Sequence, residues 1–161
     1  MKNIKFSRLF AAVTFVAILA LAGCKQPDEE TPYAIEGTWI TEWNEKYVIS
    51  NSNYDNYYTN NNGTLVLYYK TNNVQIVEVD NNSGFVYGQF YDENYIGSGA
   101  TVGQWYALYY SDLTDTNVKL YQAYKSNGRA ACDTLDEAKS EFTLDNGYFD
   151  LSNPSVGTRQ E

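Results

Sequence analysis

From Ile35 onward the chain alternates between two textures: runs rich in Tyr, Val, Ile, Trp and Thr, and short polar breaks of Asn, Asp, Gly and Ser. β-Branched and aromatic side chains suit a pleated, half-buried surface, whereas the break residues set tight turns through their own backbone chemistry. The rhythm predicts strands over 37–43, 46–50, 64–70, 74–79, 84–91, 103–110 and 118–124. The breaks "TNN" and "DNNSG" are short enough to pair the third, fourth and fifth of these as an antiparallel meander. Seven or eight strands dispose of their sticky edges by closing on themselves, so the expected fold is all-β, a meander closed into a barrel. A small β-sandwich is the alternative. In "GQWYALYY" one face carries Trp105, Ala107 and Tyr109 and the other Tyr106, Leu108 and Tyr110, and neither is polar.

One segment has a different period. "TLDEAKSEF" at 134–142 opens with Thr134 and places Glu137 three residues later, a capping box, after which Leu135, Ala138 and Phe142 share one face at helical spacing. A short C-terminal helix is predicted, followed by "NGYFDLS" as a last short strand or extended tail. The barrel domain is expected to span 35–151, with a disordered tail over 152–161.

The first residues follow other rules. Lys2, Lys5 and Arg8 precede an apolar stretch from Leu9 to Leu21 that is short for a membrane span, the layout of a removable secretion signal over 1–23. Leu21-Ala22-Gly23-Cys24 resembles the lipobox of bacterial lipoproteins, which implies that acyl chains are attached to the Cys24 thiol. Residues 24–34, charged and holding two prolines, then form a flexible acidic linker. The resemblance implies a protein tethered to a membrane of the bacterial cell envelope, and Lys25, standing where an aspartate would signal retention, favours the outer membrane. Cys132 is then left without a partner and is expected to be buried.

Charge and composition remove several function classes. Loss of 1–23 takes away three cations and no acid, moving the net charge from −9 to −12, a balance that repels nucleic acid. The chain has no histidine, hence none of the usual general base, nucleophile activator or metal ligand. "DNNSG" at 80–84 and "DLTDTN" at 112–117 lack the spacing of a calcium loop and are predicted to be turns. Asp92 and Glu93 are neighbours on a strand and point apart. The reading is of a non-enzyme with no metal and no cofactor.

The 16 tyrosines carry the remaining information. Tyr combines a large apolar ring with one polar tip, suited equally to a ligand pocket and to a protein-binding face. "SNSNYDNYYTNNNG" at 50–63 is nearly all Asn, Tyr, Ser and Gly and is expected to be a long binding loop, with Tyr54, Tyr57 and Tyr58 as its contacts.

"IEGTWITEW" resembles the first strand of lipocalins, whose Gly-x-Trp signature stands here as Gly37-Thr38-Trp39. The resemblance implies a lipocalin-like barrel closed at one end by Trp39 packed beneath an arginine. Thr114-Asp115 precedes "VKLYQAY" much as a Thr-Asp-Tyr does in that family, although Thr116 replaces the tyrosine. Arg129 is the expected closing arginine, although it comes one strand early. Two functions follow as expectations. One is a binding module holding a small hydrophobic or amphipathic ligand between Trp39, Trp105 and Tyr109. The other is a surface or adhesion protein engaging a host or envelope protein through its Tyr/Asn-rich loops.

Overall fold

Strands β1 (Gly37–Thr41), β2 (Lys46–Ile49), β3 (Tyr54–Thr59), β4 (Leu65–Asp80), β5 (Ser83–Phe90), β6 (Trp105–Ser111), β7 (Asn117–Gln122) and β8 (Ser155–Gln160) each pair antiparallel with the next, and β8 pairs back onto β1. Together they close an eight-stranded barrel, and the sandwich alternative falls. The structure is a computed structural model in which residues 32–161 are described; Cys24, the signal over 1–23 and most of the linker lie outside them. Among the described residues one helix, α1 (Leu135–Glu141), lies between β7 and β8.

Four segments differ from the sequence expectation, each for a local reason. The supposed loop 50–63 contains β3, whose Tyr54 and Asn56 point inward and are fully buried, so a polar and aromatic inward face gives the strand the composition of a loop. Only its flanks are turns: Ser50 N–H donates to Asn53 O at 2.9 Å, and Asn60 N–H to Thr64 O at 2.9 Å. The supposed turn "TNN" is a bulge instead. Asn73 takes φ 50° and the register shifts between Asn72 and Gln75, so β4 runs on for 16 residues, bending from β3 to β5.

The third difference lies after α1. "NGYFDLS" turns rather than extends, burying Tyr148 and Phe149 against the helix. The fourth is the tail. Residues 155–160 are β8, which bonds to β7 on one side and β1 on the other, so the domain runs through Gln160 rather than ending at 151. β8 lacks an aliphatic stripe because the wall is narrow here. A Cβ on Gly157 would stand 3.3 Å from Trp39 Cβ and 3.3 Å from Val118 Cγ1.

Two apolar clusters use opposite faces of the same strands. Trp39, Tyr47, Tyr54, Tyr69, Val86, Phe90, Leu108, Tyr110, Val118 and Leu120 fill the barrel. Tyr87, Ala107, Tyr109, Tyr121, Cys132, Phe142, Tyr148 and Phe149 form a second layer, outside the barrel wall and beneath α1. β6 is therefore apolar on both faces because both are covered. Thr134 caps the helix as predicted, its hydroxyl accepting from Glu137 N–H at 3.2 Å; Glu137 reaches Asp133 N–H instead of Thr134 N–H. Ala138 of the helix and Phe142, which caps its C-terminus, are buried on the wall. Cys132 is fully buried there, and desolvation holds its thiol above the ordinary range.

Candidate functional site: the barrel mouth

The strand directions give the barrel two distinct ends. One end holds the start of β1, the 50–53, 81–82 and 112–116 turns and the end of β8; the other holds the β1–β2 and β3–β4 hairpins and the long connections 91–104 and 123–154.

The first end is sealed. Trp39 lies fully buried, donating from Nε1 to Ile35 O at 2.9 Å. Opposite it in register stands Arg159, whose guanidinium lies 4.1 Å from the Trp39 ring centroid. The fork donates to Glu36 O at 2.6 Å, Ala34 O at 2.6 Å and Asp115 O at 2.9 Å, tying together three chain segments. Gly37 makes this possible: its φ is 147°, and a Cβ there would come within 2.5 Å of Arg159 Nη1. The closing arginine is thus Arg159 and not Arg129. Arg129 sits at the other end, exposed, 3.5 Å from Glu137.

The second end carries a cleft of about 330 Å³. Its floor is a packed set of rings. Tyr69 meets Phe90 edge-on at 5.9 Å and Tyr106 at 5.5 Å, while Phe90 and Tyr106 stack at 5.7 Å. One wall comes from Tyr68, the others from Gly97 and Ser98 of the 91–104 connection and from Gln122 to Ala130 leaving β7. Below the floor the phenols are paired: Tyr54 with Tyr69 through their hydroxyls, Tyr106 with Ala123 O at 3.1 Å, and Tyr47 with Gln122 Nε2 at 2.7 Å and Glu45 at 3.1 Å. Burial pushes the pKa of Tyr47, Tyr54, Tyr69 and Tyr106 above the ordinary phenol value, so all four remain protonated and act as hydrogen-bonding groups. Asn56 lies between Tyr47 and Tyr69 in register, buried, with no partner for its Nδ2. Among the described residues no group of three His, Cys, Asp or Glu could hold a metal ion.

The predicted ligand contacts do not meet here. Trp39 belongs to the sealed end. Trp105 and Tyr109 lie on the outer face of β6, where Tyr109 packs 5.0 Å from Phe85 and 5.7 Å from Phe149. The alternating phase that enters the barrel is Tyr106, Leu108 and Tyr110. Of the three supposed loop contacts, Tyr54 is core, Tyr57 lies on the outer wall beneath Lys46 at 5.2 Å, and Tyr58 alone is exposed, edge-on to Tyr68 at 6.0 Å. Tyr68, Tyr69, Phe90, Tyr106 and Gln122 were missed. A usable signal stood in β7, where Val118, Leu120 and Gln122 share one phase with its neighbours' inward residues.

The fold and site define a closed antiparallel barrel, sealed at one end by a Trp–Arg stack and carrying an aromatic cleft at the other. A scan against protein-family models found no match for this chain, and searches of curated proteins and of solved structures found none either.

Proposed function

We propose that the protein is a binding module that takes a small apolar or amphipathic molecule into the mouth cleft, held on the bacterial envelope, at the outer membrane, by lipid on Cys24. What carries the reading is the cleft itself: a concave site with a floor of three aromatic rings and a few polar groups at its walls, of a size suited to one small molecule. The order of Gly37, Trp39 and a late arginine supports a lipocalin-like relationship, now with Arg159 in that place. Lys25 after Cys24 supports the outer-membrane assignment.

The test is native mass spectrometry of the chain from Gln26, which includes the whole closed barrel, purified without detergent, beside Ser98→Trp, which fills the cleft from an exposed wall position. The expected result is an excess mass, native or taken up from mixed lipids and small hydrophobic compounds, that the variant lacks. Equal occupancy of the two proteins, or none in either, would overturn the reading. The second reading, docking of a host or envelope protein, draws on the exposed aromatic residues at the mouth end, Trp43 at 65% and Tyr124 at 77% exposure. Absence of any small occupant would move the search there.

A further inference from the structure

We infer that the cleft selects a flat aromatic molecule carrying a single negative charge; this rests on reading the cleft as a small-molecule site. The first observation is charge. Residues 32–161 hold 17 acidic side chains and seven basic ones, yet the cleft is lined by two of the bases, Lys125 and Arg129, and by no carboxylate. A cationic ligand would find no partner in the lining, and an anionic one would find two.

The second observation is that a turn fixes both cations on one lip. Gly128 N–H donates to Lys125 O at 2.9 Å, Asn127 takes φ 61°, and Arg129 N–H donates to Tyr148 Oη at 2.8 Å. A Cβ on Gly128 would lie 2.8 Å from Lys125 Cβ and 2.8 Å from Tyr148 Oη, so the turn tolerates no larger residue without shifting.

Third, both heads retain donors. Lys125 Nζ uses one hydrogen on Asn146 O at 2.9 Å. Arg129 makes one long contact with Glu137, with both side chains nearly half exposed, and such a pair holds its partner weakly. An incoming oxyanion can share the guanidinium, whose fork suits a planar acid group. Beyond that lip stand Asp133, Glu137 and Glu141, which also act on Arg129. Three carboxylates behind two cations disfavour a ligand of higher negative charge. The ring floor and the cleft volume fit a body of two or three fused or linked rings.

Two dyes with one skeleton separate these ideas: N-phenyl-1-naphthylamine, which is neutral, and 8-anilino-1-naphthalenesulfonate, which adds one sulfonate. Fluorescence titration of the chain from Gln26 is expected to show the sulfonate bound about tenfold more tightly, as charge-assisted hydrogen bonds allow. Added salt should narrow that ratio, as should Arg129→Gln, and Ser98→Trp should weaken both dyes. Equal affinities, or a ratio unmoved by Arg129→Gln, would overturn the anion inference while leaving the small-molecule reading in place. Binding of neither dye, or binding of both undisturbed by Ser98→Trp, would overturn the reading beneath it as well.

Discussion

The two ends of the barrel solve the same problem, how to finish a closed sheet, in opposite ways. At the sealed end one guanidinium lies on one indole and hydrogen-bonds three carbonyls from two other segments, so each group is over-determined by its neighbours. At the mouth the floor rings Tyr69 and Phe90 are fully buried and packed from below, and it is the wall ring Tyr68, 43% exposed, that is held on one side only. The difference teaches where stability and function are each to be sought. Groups tied on every side hold the fold, and groups tied on one side remain available to a ligand.

Three changes test that division. Deletion of 154–161 has the largest expected effect, since it removes β8, opens the barrel along two edges and uncovers Trp39; no cooperative unfolding transition should remain by circular dichroism. A truncated chain that still melted cooperatively would show that closure is dispensable. Next comes Arg159→Lys, which keeps the charge but loses the flat stack and the fork; a loss of about 1–3 kcal/mol is expected from urea unfolding. The smallest effect belongs to the mouth. Tyr68→Ala forfeits ring contacts with Tyr58 and Tyr69 at a half-exposed site, a loss of about 1 kcal/mol or less. Should Tyr68→Ala cost more than Arg159→Lys, the assignment of roles to the two ends would be reversed.

How much of this was legible in the sequence follows from the same contrast. β1, β2, β5, β6 and β7 announce themselves because aromatic and β-branched residues recur with few breaks, and α1 because Thr134 and Glu137 bracket its first turn. β3 was hidden by Asn56, a buried amide in a run rich in asparagine, and β8 by Gly157 and Arg159, the small residue and the cation that a narrow sealed end requires. The bend in β4 looked like a turn because Asn in left-handed backbone serves both. The cleft was missed for a different reason. Both faces of β6 are buried, one in the barrel and one under α1, so alternation alone gave no reason to place Tyr106 inside and Trp105 outside. Gly37 and Trp39 are legible as a motif, whereas the order of arginines in the sequence points to Arg129, one strand before their actual partner Arg159.

The Arg159 fork also bears on kinetics. It joins Glu36 across 123 positions of sequence, and the β1–β8 ladder beside it spans similar distances, whereas every other strand pair links consecutive strands. Loop-closure entropy makes such a contact among the last to form, so an eight-strand open sheet with β1 and β8 as unpaired margins is the expected penultimate species on the folding path. While it persists, β1 presents bare amides and carbonyls to any neighbouring chain, and the rate of the final stitch sets how long the protein is exposed to self-association.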